Sequence, residues 1–251
     1  MSHPDPTVVG DRLRLGVVVP SSNTTVEPEF ATWTPAAASV HAARMGLVDV
    51  TVEALDAMAA DAVAAAERLA HAEVDAVAYA CTTGSLLHGH GFDTELEADL
   101  AEVADAPAVA TALSVQRLLD ALDATRIAVA TPYVDELNDR ERDYLTDAGY
   151  DVVALDGRGI EPNTDIGRLT PEDALEQATA LLDATEASGG AVDALFVSCT
   201  NYPTLAAVDE IADVPTVTSN LATFWDLCRV SGLDPDFLPG DLPEPAAGSI
   251  G

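Results

Sequence analysis

The sequence predicts an α/β protein of two pseudo-symmetric halves, each a doubly wound parallel sheet, with the site in the cleft between them. Three observations predict it. Short apolar runs alternate with amphipathic or alanine-rich stretches along the chain. The plan is traversed twice. The motifs richest in chemistry follow directly on apolar runs, where open α/β sheets bind ligands.

LGVVVP (15–20) reads as a buried strand and SVHAARM (39–45) as a second. From Glu53 to Ala72, apolar residues at Leu55, Met58, Ala62, Ala66 and Leu69 recur at helical spacing. VDAVAYA (74–80) is a strand running into CTTGS. A helix over 95–103 and a short strand at 108–110 follow. The second half predicts helix 113–122, strand RIAVATP, and helix 136–148 ending at Gly149. Strand DVVAL leads to helix 171–187, with Thr170 as cap and proline in the first turn. VDALFVS then runs into CTNYPT, and strand PTVT and helix 221–231 close the pattern.

The repeat is visible in the letters. VDAVAYACTTGS matches VDALFVSCTNYPT, LGVVVPSSN matches IAVATPYVD, and DAPAVATALS matches DVPTVTSNLA, in the same order and at nearly one period. This divides the chain into a first half, 13–110 with 220–234, and a second, 111–219. The ends, 1–12 and 235–251, read as weakly ordered tails.

Composition narrows the function. The 251 residues are 48% hydrophobic, enough for real cores. Asp and Glu number 43 against 11 basic residues, all of them arginine, for a net charge of −32. Such a surface repels nucleic acid and anionic lipid, so neither is expected as a partner. Acids spread through helices fit a halophilic cytoplasm, where salt screens self-repulsion. No apolar run reaches membrane-spanning length and the N-terminus shows no apolar signal region, so a cytoplasmic location is expected. The absence of lysine removes Schiff-base, pyridoxal-lysine and phosphate-loop chemistry. Cys81, Cys199 and Cys228 have no CxxC spacing and read as free thiols. His88 and His90 lack a third ligand nearby, so a solvated loop is expected there and no metal site.

Cys81 and Cys199 each end a strand and precede small hydroxyl residues. A helix start lowers a thiol's pKa and offers N–H donors to a carboxylate. Cys81 with Thr82, Thr83 and Ser85 makes one half of a site; Cys199 with Thr200 and Asn201 makes the other. Inert core packing explains a lone cysteine; two at equivalent places of a repeat argue for function. Cys228, on the apolar segment FWDLC, is read as core. In PSSNTT, Asn23, Thr24 and Thr25 are helix caps or carboxylate donors. Tyr133 in TPY offers a phenol at the matching place in the second half. Asn163 sits in a loop, where asparagine commonly just forms turns.

VPSSNTT, YACTTGS, ATPYVDELNDR, GIEPNTDIG and VSCTN together resemble the maleate cis-trans isomerase family, within the aspartate/glutamate racemase superfamily and similar to the arylmalonate decarboxylases. The resemblance spans roughly 13–232. It implies flavodoxin-like halves and a homo-oligomer, although the sequence carries no interface signal. It implies a nucleophile at Cys81 and an acid/base thiol at Cys199. Substrate contacts are implied at Asn23, Tyr133 and Asn163, with backbone donors at Thr82 and Thr200. Racemases of the superfamily carry Asn after the first cysteine and His two after the second; here stand Thr82 and Asn201. Arylmalonate decarboxylases keep only the second cysteine. The expected function is cofactor-independent isomerisation of maleate, or a related alkene dicarboxylate, by cysteine addition, rotation and elimination. A two-cysteine racemase of a 2-substituted acid, a malonate-type decarboxylase and a carboxylate-binding protein without chemistry are the alternatives.

Overall fold

The computed structural model describes residues 12–205, 210–211, 214–240 and 242–244. The first half is built from β1 (Leu13–Pro20), α1 (Val26–Trp33), β2 (Ala38–Met45), α2 (Val52–Ala70), β3 (Ala76–Tyr79), α3 (Thr82–Leu86), α4 (Phe92–Ala104) and β4 (Ala108–Ala110). The second follows with α5 (Thr111–Ala121), β5 (Arg126–Thr131), α6 (Asp135–Asp147), β6 (Asp151–Gly157), α7 (Asn163–Ile166), α8 (Pro171–Ala187), β7 (Ala194–Val197), β8 (Thr216–Thr218) and α9 (Ser219–Ser231). The two four-stranded parallel sheets share one order, β2-β1-β3-β4 and β6-β5-β7-β8. The repeat in the letters is therefore a repeat of topology.

β1 and β5 are interior strands, which is why LGVVV and IAVAT are continuously apolar. Alternate side chains feed opposite layers. Leu15, Val17 and Val19 pack with Phe30, Val115, Leu118 and Phe224 on one face, while Val18 packs with Leu55, Met58 and Leu100 on the other. Ile127 and Val129 join the first layer, Ala128 and Leu195 the second. α9 lies against α5 and strands β1, β3 and β4, so the last helix packs on the first sheet. A partly buried charge cluster clamps it there: Arg117 bonds Glu97 on α4 and the buried Asp226 on α9 at 2.7 Å each, and Ser114 donates to Asp226 at 2.9 Å.

The caps follow the sequence. Thr170 and Asp173 form a reciprocal capping box on α8, with Pro171 at its first position. Gly149, at φ +102°, carries the chain out of α6 through backbone that a Cβ would strain. α1 and α7 are additions: the polar PSSNTT loop hides the start of α1, and α7 spans only four residues. Residues from Pro235, expected as a loose tail, pack back onto the body where they are described. Leu238 is buried, Phe237 meets Phe224 edge-on at 6.1 Å, and Trp225 Nε1 donates to Pro243 O at 2.9 Å. The expected N-terminal tail lies, apart from Arg12, outside the described residues. No helix among the described residues is long and apolar enough to cross a membrane.

With a charge of −32 on this frame, self-repulsion opposes folding and salt relieves it. The thermal midpoint followed by circular dichroism should climb steadily from about 0.1 M to about 1 M salt, as the screening length falls from about 10 to about 3 Å. A midpoint that is flat or falls over this range contradicts the halophilic reading.

Candidate active site

Nine residues singled out from the sequence line one small cavity: Asn23, Cys81, Thr82, Thr83, Tyr133, Asn163, Cys199, Thr200 and Asn201; Thr24, Thr25 and Ser85 stand behind it. Pro20, Leu47 and Val50 complete it. Three segments from the first half and three from the second meet there. Leu47 and Val50 come from the β2–α2 loop, which lacks any polar motif, so the sequence offered no signal for them. That loop crosses to the second half: Val50 N donates to Glu161 O at 3.0 Å and Asn163 N to Val48 O at 3.4 Å.

Cys81 ends β3 and caps α3; its Sγ accepts from Gly84 N at 3.4 Å, and Thr83 Oγ1 lies 3.9 Å away. Gly84 is needed, because a Cβ there would stand 2.5 Å from Tyr79 Oη and 3.1 Å from Cys81 Sγ. Cys199 is held at φ +94°, a strained conformation for an L residue. Its N–H donates to Ser219 Oγ at 3.0 Å, its Sγ accepts from Asn201 N at 3.3 Å, and the Tyr133 phenol bonds it. Ser219 Oγ also accepts from Thr82 Oγ1 at 2.8 Å, so one hydroxyl joins the two cysteine loops. Its signal was in the repeat: Ser219 stands where the first half has Thr111, which bonds Tyr79 O at 3.0 Å.

The expectation that a helix start lowers the thiol pKa is corrected. Burial pushes Cys81 up to about 11, against the Gly84 N–H and the Thr83 hydroxyl, and Cys199 up to about 12, against Tyr133 and the Asn201 N–H. Desolvation outweighs the donors because both thiols are almost fully enclosed. Both therefore rest as thiols. Cys228 is fully buried in the core, as read. His90 departs from the solvated-loop reading: it stacks on Tyr144 at 4.3 Å and bonds its carbonyl at 2.9 Å.

The asparagines divide their work. Asn23 Oδ1 accepts from Thr25 N and Val26 N at 2.9 and 3.0 Å, opening α1, and its Nδ2 donates to Thr200 Oγ1 at 3.3 Å. Asn201 is a strut: its Oδ1 accepts from Thr24 N at 2.8 Å and its Nδ2 donates to Asn163 O at 2.7 Å. Asn163 Nδ2 donates to Ser22 Oγ at 2.8 Å. Arginine stays out of the lining. Arg44 holds the PSSNTT loop from behind, through Ser21 O and Asn23 O at 3.0 Å each. Among the described residues, an anion in this cavity meets hydroxyl, amide and backbone donors and no cation.

Among the buried carboxyls that escaped the sequence reading, hidden among 43 acids, two stand behind the Cys199 loop. Glu29 accepts from Thr204 N, Leu205 N and Asn220 Nδ2 at 2.7, 3.1 and 2.6 Å, anchoring the chain beyond Cys199; burial raises its pKa. Glu141 accepts from Ser198 Oγ at 2.6 Å, and its other oxygen has no partner. Burial lifts Glu141 to about 7, with Ser198 opposing. Its folded pKa exceeds its unfolded one, so its neutral form favours the fold below about 4.5 and that stability is lost as pH rises to about 7. Chemical denaturation of Glu141→Gln and wild type at pH 5 and pH 8 should show the variant gaining about 2.5 kcal/mol relative to wild type over the interval. An unchanged difference would mean that Glu141 is not protonated at neutral pH.

Comparison with known proteins agrees with this geometry. The arylmalonate decarboxylase family model matches residues 15–239. A maleate isomerase of Nocardia farcinica is 30% identical, over 90% of this chain and 93% of that one. The arylmalonate decarboxylase of Bordetella bronchiseptica is 28% identical, over 90% and 93%. The structure of a cysteine-to-serine mutant of the Nocardia farcinica maleate cis-trans isomerase, with a covalently bound succinylcysteine intermediate, superposes with a TM-score of 0.81 at 29% identity, covering 88% of this chain and 93% of that one. With two like-ordered sheets meeting at a pair of cysteines and a family model matching almost its full length, the chain belongs to the enzyme family of the maleate isomerases and arylmalonate decarboxylases.

Proposed function

We propose that this enzyme converts maleate, or a closely related alkene dicarboxylate, into its trans isomer without a cofactor. The observation that carries the reading is the pair of buried thiols, Cys81 and Cys199, lining one small cavity whose other polar groups are neutral donors. The maleate isomerase relatives support it, and so does the succinylcysteine intermediate of one of them.

Cis-to-trans conversion requires the double bond to become single for a moment. The Cys81 thiolate, the minor form at neutral pH, adds to one alkene carbon. The π pair moves onto the other carbon and its carboxylate as an enediolate. Donors around Thr82, Tyr133 and Thr200 hold that charge. Cys199 gives its proton to the carbon, leaving a succinyl thioether on Cys81 and a thiolate at Cys199. The central bond, now single, rotates. Cys199 takes a proton back from the same carbon, the double bond re-forms, and Cys81 departs as thiolate. Tyr133, bonded to Cys199, stabilises the second thiolate in the interval.

Racemisation and decarboxylation share the enediolate but form no thioether, which makes the adduct decisive. Proton NMR should show maleate becoming fumarate with chelator present and no nucleotide added. Cys81→Ser should abolish turnover, because a hydroxyl is hardly ionised at neutral pH. Cys199→Ser should lose most turnover yet accumulate a one-maleate mass gain on the Cys81 peptide after acid quench. An adduct only on Cys199 would reverse the two roles. Unchanged maleate beside a racemised 2-substituted acid, or a malonate losing carbon dioxide, would replace the isomerase reading.

A further inference from the structure

Tyr79 lies two residues before Cys81 on the same chain segment, so both side chains leave β3 on one face and enter the same core layer. The phenol is fully buried, and its hydroxyl has no hydrogen-bond partner. A buried tyrosine ordinarily finds one. The Tyr79 carbonyl accepts from Thr111 Oγ1 at 3.0 Å, and the hydroxyl shares the space in front of Gly84 with the Met58 methyl. The hydroxyl and the Cys81 sulfur crowd the same point, within 2.5 and 3.1 Å of where a Gly84 side chain would begin.

We infer that the Tyr79 hydroxyl is a donor held in reserve for the Cys81 thiolate. The resting thiol is a weak acceptor, and the hydroxyl makes no bond to it. When the sulfur becomes anionic, before addition and again on elimination, it becomes a strong acceptor with room for a further donor beside Gly84 N and the Thr83 hydroxyl. Such hydrogen bonds are commonly long in the resting enzyme and tighten once charge develops. The proton stays on the phenol oxygen throughout; only the hydrogen bond is made and broken. The titratable group whose charge bears on Tyr79 is Cys81 itself, and burial with that charge keeps the phenol protonated. Met58 of α2 and Gly84 of α3 face it without charge. Cys199 has its own bonded phenol, Tyr133, which also feels the charge of Cys81.

This rests on Cys81 being a working thiol, and its test needs no substrate. The probe is iodoacetamide, a small neutral alkylating agent, with labelling of Cys81 and Cys199 followed separately by peptide mass spectrometry across pH. In Tyr79→Phe the Cys81 profile should shift upward by about one pKa unit, making labelling about tenfold slower at any pH below it. The Cys199 profile should stay in place. The thermal midpoint should hold or rise, because the change removes an unpaired buried hydroxyl. An unmoved Cys81 profile, an equal shift at both cysteines, or a variant that melts earlier or fails to fold would each overturn the inference, the last by showing that the hydroxyl is structural. Failure of the maleate assay with the labelling shift intact would instead count against the substrate alone.

Discussion

Two parallel sheets that bring the ends of their strands to one cavity must bury loop backbone against loop backbone, and every polar group there needs a partner. That constraint organises the molecule. Ser219 bonds both cysteine loops with one hydroxyl. Asn201 and Asn163 lace the PSSNTT loop to the second half. Glu29 satisfies three donors at once beyond Cys199. These contacts link segments remote in sequence, so the cavity's shape is a property of the assembled halves and of no single motif.

Enclosure also sets the chemistry. A chain with 43 acids and no lysine has built an anion-lined surface around a cavity furnished with neutral donors. Inside it the cost of desolvating charge exceeds what the Gly84 or Asn201 N–H returns, so the thiols rest neutral. A neutral pair suits addition chemistry in which one sulfur must arrive as nucleophile and the other as acid. A site of cations would hold carboxylates more firmly, but it would also lower both thiol pKa values together and remove the acid.

The fold was largely legible because its signals are local. Continuous apolar runs mark β1, β3, β5 and β7, helical spacing marks α2, and the Thr170 cap with proline in the first turn marks α8. The cysteines were legible because a repeat placed them twice at strand ends. Leu47 and Val50 were not, since two apolar residues in a loop look alike whether they cover a cavity or a core. Glu29 and Glu141 were not, since burial is a tertiary property and a helical glutamate in this chain is commonplace. The sign of the thiol shift was missed for the same reason. A helix start can be read from letters, whereas the degree of enclosure that overrides it cannot.

Buried atoms left without partners are informative here by where they fall. Tyr79 Oη, Glu141 Oε2 and Asn220 Oδ1 each lack one. Tyr79 precedes Cys81 by two residues. Glu141 bonds Ser198, the residue before Cys199. Asn220 follows Ser219 and bonds Thr200 O at 3.1 Å. Each of these three groups thus stands one step behind a cysteine loop. Left-handed strain at Cys199 adds to the same region. A protein selected for stability alone would replace these groups with apolar ones of equal shape. Keeping them beside both thiols concentrates the cost of folding where, on the proposed mechanism, charge would appear and disappear, and there a donor or acceptor unused at rest would have a use during turnover.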